Sequence, residues 1–443
     1  MRQFRLVFIL PATMLTIARV ARNGWPNFPN WHDSRPRAGA TKPLHTMSRN
    51  LAPGAYVQDS GPPANPIAGV STSLTAFVGP TLSGPTGSPP EILTSYADFE
   101  RIYGGLNDLG FAPHLNHLAH GARAYFAEGG TRLCVARVAG KPRKAAPALS
   151  VAPALADYKK AFALLVRLPN ISIVAAPGHT AFPAALAAGI ASQLVAHAEQ
   201  LRYRIAVLDT PPAQDVTGAQ ACKAGFNSSY AALYYPWVVA ANPGFDPAMP
   251  GSAAEVFLPP SAFVCGIYAR CDAARGVFKA PANEVVRSAL RFERALSTHD
   301  QDILNPLGIN CLRNFPGKGN LVWGARTTSS DPEWRYVSVW RYAAYLERSL
   351  NVGTQWAVFE PNGEPLWAKI RMAVSNFLSN EWRGGALQGI KPEQAYFVKC
   401  DRSTMSQNDL DNGRLIFEVG VAPLRPAEFV IFRIGQNTAA TPT

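Results

Sequence analysis

The sequence predicts a multidomain protein of mixed α/β and α+β class whose two ends are extended arms. Three observations predict it. Between residues 70 and 275, short apolar runs alternate with helix-spaced stripes, the signature of strands and helices taking turns. Between residues 276 and 443, two long helical stripes are followed by closing strands. Near both ends lies a strand-like run with no obvious partner in its own neighbourhood: Ala55, Tyr56, Val57 and Gln58 in front, and Phe429, Val430, Ile431 and Phe432 behind.

The chain has 443 residues, 47% of them hydrophobic and 16% charged, which suits a globular protein with two or three real cores. The formal net charge is +12, and half of that excess sits in residues 1–46, which hold seven positive side chains against Asp33 alone. The remaining mild excess is spread out, without the clustered basic and aromatic residues of a nucleic-acid surface. Nucleic acid is therefore not expected as a partner. Cys134, Cys222, Cys265, Cys271, Cys311 and Cys400 form no C-x-x-C pair, and several sit inside apolar runs. They read as small buried hydrophobes in a reducing compartment, not as a disulfide or zinc framework.

Residues 1–46 form a leader unlike the rest. Residues 4–17 are apolar between arginines, and residues 25–43 are rich in Pro, Asn and Arg. A secretory signal would begin this way, but Pro11 breaks the apolar core and Arg19 and Arg22 follow it. The run is also too short and interrupted to span a membrane, so membrane insertion is not expected. The leader reads better as an extension upstream of a start at Met47, and is expected to be disordered or absent.

Residues 47–69 are an arm and linker. Tyr56 and Val57 favour strand, and Gly61-Pro62-Pro63-Ala64-Asn65-Pro66 enforces a stiff extended tether, because proline fixes φ and denies helix to the residue before it. A strand held this way leaves its backbone groups unpaired unless a sheet takes it, either its own or a neighbour's.

The middle domain is assigned to residues 70–275. Strands are expected over 70–79, 132–138, 171–176, 204–209 and 231–240, the last broken at Pro236. Helices are expected over 96–103, 114–127, 151–166, 183–202 and within 253–269. Pro183 is well placed at a helix start. This alternation predicts a parallel sheet covered on both faces. Residues 141–153, rich in Ala, Pro, Lys and Arg, read as a surface loop.

The closing domain is assigned to residues 276–443. Asn283 is read as the cap of a helix carrying Val285, Val286, Ala289, Leu290 and Leu296. Further helices are expected over 336–350 and 367–378, with a Pro-Asn-Gly turn at 361–363 between them. Strands are expected over 395–399, 414–421 and 428–434. The last of these is apolar on both faces and needs cover on both.

The residues that carry most information form six separated segments of the last third, together with Met47-Ser48-Arg49-Asn50-Leu51-Ala52-Pro53-Gly54-Ala55-Tyr56-Val57. The segments read GVFKAPAN, INCLRNFPGKGNLVWGART, EWRYVSVWRYAAYLERSL, TQWAVFEPNGEPLW, AYFVKCD and GVAPLRPAEFVIFRI. Here the chain resembles the contractile tail sheath family, the outer-tube proteins of contractile phage tails and related bacterial injection particles. The resemblance implies a subtilisin-like α/β middle domain stripped of catalysis and an α+β sheath domain with arms exchanged between subunits. It implies stacked six-fold rings of this chain around an inner tube protein, met at the ends by baseplate and terminator or cap proteins. It also implies assembly in the bacterial cytoplasm into a phage tail or injection particle, with no cofactor. The leader alone suggests a rival, a secreted adhesin or binding module.

The other rival is a hydrolase, which needs Ser, His and Asp converging on one site. Asp209 ends a strand and His179 follows a Pro-Gly turn, but no serine is found in a nucleophile elbow or comparable helix-start context. His114, His117 and His120 share one arc of a helix, so two could share a metal. No neighbouring ligand completes the set, and a solvated helix face is the better reading. Gly317-Lys318-Gly319 lacks the rest of a phosphate loop and reads as a turn.

Overall fold

A computed structural model describes residues 4–10, 18–19, 65–140, 142–143, 146–150, 152–248 and 253–429. The chain forms two compact units. The larger comprises the described residues within 68–350 and 423–429, and the smaller comprises those within 4–67 and 351–422. Residues 276–350, placed by sequence in a closing domain, therefore pack within the larger unit.

The larger unit is built on a nine-stranded sheet. Its six central strands are parallel and lie in the order Ile309–Phe315, Ala231–Tyr235, Ile205–Asp209, Ile173–Ala175, Thr75–Pro80 and Leu133–Val138. Antiparallel strands close both edges, Ile92–Leu93 at one and Gly319–Val322 followed by Glu284–Val285 at the other. The central strands are apolar at successive positions because both faces are covered. Phe77, Val135 and Val207 face a core built with Leu118, Phe263 and Tyr268. Their neighbours Ala76, Cys134 and Leu208 face a second core with Tyr158, Leu165, Ile190 and Leu194. The expected parallel sheet with helices on both faces is what forms.

Most elements fall where the periodicity puts them. Helix Tyr96–Tyr103 is capped by Ser95, whose side chain accepts from the Asp98 amide. Helices Leu155–Val166 and Ala184–Leu201 occupy the predicted stretches, the second starting directly after Pro183. Gly317 and Gly319 both adopt positive φ in the turn that joins Phe315 back to Gly319, as a glycine-bounded turn should.

Four readings are corrected. The segment after Asn283 is not a helix. It forms strands Glu284–Val285 and Ala289–Phe292, and Asn283 itself has φ +58°. Its amides are drawn elsewhere: Val286 donates to the Asn320 carbonyl, and Arg287 and Ser288 donate to the buried Glu128 carboxylate at 3.1 and 2.9 Å. Residues 142–143 and 146–150 form a two-stranded ribbon within the stretch read as a loop. The helix read from His114 begins only at His117, and His117 and His120 are buried, not solvated. Helix Val216–Ala224 has no counterpart among the expected elements.

In the smaller unit, helix Glu364–Arg383 buries Trp367, Ile370, Val374, Phe377 and Leu378, the predicted stripe. Strands Tyr396–Lys399 and Leu415–Val421 pair antiparallel, with Leu415, Phe417, Val419 and Val421 buried. On the other side of Leu415–Val421 lies a strand from the leader, Phe4–Leu10, followed by Ala18–Arg19. Of the leader, residues 4–10 and 18–19 are described, and the rest lies outside the described residues.

Candidate assembly elements: the roots of the two arms

Of the residues expected to exchange between subunits, Ala55, Tyr56, Val57, Gln58, Val430, Ile431 and Phe432 lie outside the described residues. Phe429 is described. It is 71% exposed and in no regular element. What the structure defines is how residues 69–75 and Glu428, next to the expected arms, are held in the larger unit.

The front root runs through residues 69–75 into the sheet. Thr72 Oγ1 donates to Asp272 Oδ2 at 2.7 Å, and its carbonyl accepts from Arg341 Nη2 at 2.9 Å. Arg341 makes a two-pronged pair with Asp272, Nη1 to Oδ1 at 2.9 Å and Nη2 to Oδ2 at 2.6 Å. Both partners are almost fully buried, at 3% and 4% exposure. Burial works against the Arg341 charge, but Asp272 outweighs it and holds the guanidinium pKa above its ordinary value. The same guanidinium lies 4.9 Å from the Tyr268 ring centroid. Two residues earlier, Val70 N–H donates to Ser349 Oγ at 3.1 Å. Gly69 leaves no room for a side chain, because a Cβ there would meet Tyr345 Oη at 2.1 Å.

The rear root is Glu428. Its carboxylate accepts from Arg326 Nε and Nη2 at 2.8 and 2.5 Å, from Asn305 Nδ2 at 2.9 Å and from Tyr336 Oη at 3.1 Å. Burial alone would raise its pKa, but the hydrogen bonds from Arg326 and Asn305 and the Arg326 charge hold it below the ordinary carboxylate value. The next residue is the exposed Phe429. In the sequence, Glu428 is only the first residue of an expected strand. Its anchoring role leaves no local signal, since its partners lie about a hundred residues away. Arg341 does leave one, a charge inside an apolar stripe between Trp340 and Tyr342.

The catalytic candidates Asp209 and His179 are each committed to other hydrogen-bond partners. Asp209 accepts from Ser261, from its amide at 2.6 Å and its hydroxyl at 2.6 Å. Ser261 does stand in the first turn of helix Pro260–Arg275, so a helix-start serine is present where the sequence suggests none. It is fully buried and its hydroxyl is committed to a carboxylate. His179 instead donates Nδ1–H to the Ala176 carbonyl at 2.8 Å, and burial lowers its pKa to about 4. Burial likewise lowers His117 and His120 to about 4, and His117 packs edge-on against Trp237. Among the described residues no group of three or more His, Cys, Asp or Glu is placed to hold a metal ion, and no helix is long and apolar enough to cross a membrane.

Two domain descriptions match in tandem, the phage tail sheath protein central domain over residues 156–328 and the phage tail sheath C-terminal domain over residues 329–437. Together they span well over half the chain, which belongs to the phage tail sheath family and is a structural protein, not an enzyme. A putative prophage major tail sheath protein of Pseudomonas aeruginosa (strain UCBPP-PA14) is 26% identical over 287 residues, covering 63% of this chain and 67% of that protein. Among solved structures, the sheath of the extracellular contractile injection system PVC in its contracted state aligns with TM-score 0.70 and 29% identity, over 87% of this chain and 98% of that one. The contracted helical sheath of the anti-feeding prophage aligns with TM-score 0.68 and 29% identity, over 87% and 99%. A chain of the six-fold symmetrised anti-feeding prophage baseplate aligns with TM-score 0.66 and 28% identity, over 87% and 99%.

Proposed function

We propose that this chain polymerises into stacked six-fold rings that form a sleeve around an inner tube, with a baseplate at one end and a terminator or cap at the other. Residues Ala55, Tyr56, Val57 and Gln58 and residues Phe429, Val430, Ile431 and Phe432 act as arm strands that pair with sheets of neighbouring copies. Residues 47–69 serve as arm and linker. The middle domain is a subtilisin-like scaffold used for shape alone, a reading supported by its parallel sheet with helices on both faces. The particle is a phage tail or injection machine put together in the bacterial cytoplasm.

The observation that carries this reading is the rear root. Four donor groups fix Glu428, and the apolar run that follows begins with an exposed Phe429. A segment so rooted has a fixed point of departure, and its first residue, Phe429, exposes an apolar ring. Strand pairing keeps copies linked because many backbone hydrogen bonds must break together, while whole domains rotate between an extended and a contracted packing. Contraction draws on the difference in buried surface between those packings and needs no nucleotide.

Negative-stain microscopy of the expressed protein tests the reading. Striated tubes are expected from the full chain, and folded but unassembled subunits from a chain lacking residues 429–443. Normal tubes from the shortened chain would refute strand exchange by that arm.

A further inference from the structure

We infer that the leader strand Phe4–Leu10 is a cis-acting cap on the sheet edge that receives a strand from a second copy, so that the free subunit blocks its own assembly site. The inference rests on the strand-exchange reading above.

Strand Leu415–Val421 pairs on one side with Tyr396–Lys399, but only along residues 418–421. On its other side it pairs with Phe4–Leu10 along all seven residues, from Phe4 opposite Val421 to Leu10 opposite Leu415. The ladder with Tyr396–Lys399 stops at Glu418, so residues 415–417 are paired in the sheet through the leader strand, without which the sheet would shrink to two strands. Two strands are marginal in water, and a long open edge is a template for another chain. The leader sequence fits the position. Opposite the buried Val421, Val419, Phe417 and Leu415 stand Phe4, Leu6, Phe8 and Leu10, all large and apolar. A one-residue slip would replace them with Arg5, Val7 and Ile9. The rear arm has the same design, with Val430, Phe432 and Ile434 in one alternating set and Arg433 in the other. Both segments can satisfy the same edge, and one of them is tethered to it. A tethered strand competes at the high effective concentration of an intramolecular partner. A dilute second copy cannot match that, whereas a ring that presents many arms side by side can. Growth would then be confined to the end of an existing tube.

The test compares the full chain with a chain that starts at Met47 and with full-length Leu6→Pro, since proline removes a ladder hydrogen bond from a strand interior. Amide exchange of residues 415–421 is followed in unassembled protein, and tube formation by light scattering. In the full chain these amides are expected to be protected and tubes to appear after a lag. In the other two chains protection of 415–417 is expected to fall at least about tenfold and the lag to shorten. Adding a peptide of residues 3–11 to the Met47 chain should restore both. Equal protection in all three chains overturns the cap, and so does loss of protection with an unchanged lag in chains that polymerise. If none polymerises, exchange alone decides it. Strand exchange itself fails on a different result, normal tubes from the chain without residues 429–443.

Discussion

Thr72 and Glu428, the described residues beside the two proposed arms, are held by different chemistry. The front root is held by an arginine–aspartate pair sunk in the core, with both partners at 4% exposure or less. The rear root is held by an arginine–glutamate pair near the surface, at 8% and 21%. A buried pair is strong only while complete, because removing one partner strands the other's charge in a poor solvent. The rear pair is less deeply buried on its carboxylate side, so Glu428 keeps part of its hydration and strands less charge when its partner is lost. The Arg341–Asp272 pair is therefore the costlier of the two to break. Asp272→Ala should have the largest effect, costing about 3–5 kcal/mol by denaturant unfolding. Replacing both partners, with Arg341→Met and Asp272→Leu, should recover much of it. A double variant as unstable as the single one would show that the clamp to Thr72, not charge burial, dominates.

Asp209 sharpens the contrast, since it is a buried carboxylate with no arginine. Burial pushes its pKa from 3.8 to about 7, and the bonds from Ser261 only partly oppose this. A carboxyl whose folded pKa lies above its unfolded one holds extra protons in the native state, so stability falls as pH rises across that window. The buried histidines tilt the curve the other way. His117, His120 and His179 are lowered to about 4 and His197 to about 3, so their share of stability grows as pH rises toward 6.5. Only the difference between the parent and Asp209→Asn isolates the aspartate. Asparagine keeps an acceptor for the Ser261 amide but cannot ionise. The variant should gain stability relative to the parent from about pH 4 to pH 7, by about 1.4 kcal/mol for each pH step of one. A constant difference across that range would mean that Asp209 ionises freely in the fold.

The sequence discloses what periodicity controls. The stripe of Trp367, Ile370, Val374 and Phe377 and the alternation of Leu415, Phe417, Val419 and Val421 are each decided within one element, so both are readable. Residues 283–296 mislead because their helical spacing is real, but Glu128, about 160 residues away, takes the amides a helix would need. Helix Val216–Ala224 is invisible because only Ala219 on it is buried, which leaves almost no stripe to find. The anchors of both arms belong to the same blind spot. Arg341 with Asp272 and Arg326 with Glu428 are pairings across 69 and 102 residues, and nothing local announces the partner.

A smaller effect tests the front root sterically. Gly69→Ala puts a methyl against the Tyr345 hydroxyl, where the added Cβ would sit 2.1 Å away. Either the ring or the linker must move, at about 1–3 kcal/mol for overpacking. If this stretch aims the front arm, tubes should suffer more than the melting temperature of the subunit. A loss confined to subunit stability would show that the root has no bearing on assembly.

The smallest change in stability is expected at the rear root, with the clearest separation between folding and assembly. Glu428→Gln keeps the side-chain shape and one good acceptor but removes the charge facing Arg326. Arg326 is buried and Glu428 keeps 21% exposure, so the loss should be about 1.5 kcal/mol, the low end for a hydrogen bond to a charged group. The glutamate's folded pKa lies below its ordinary 4.5, so its contribution is complete above that value and fades as pH falls through the folded pKa. The parent should therefore approach the variant in stability on acidification, while the two stay apart at neutral pH. If the root aims the segment that begins at Phe429, the variant should form fewer or less regular tubes at neutral pH despite a near-normal fold. Restoring the charge by a shorter arm, Glu428→Asp, should not rescue tube formation, because aspartate cannot reach Arg326, Asn305 and Tyr336 together without drawing the chain inward.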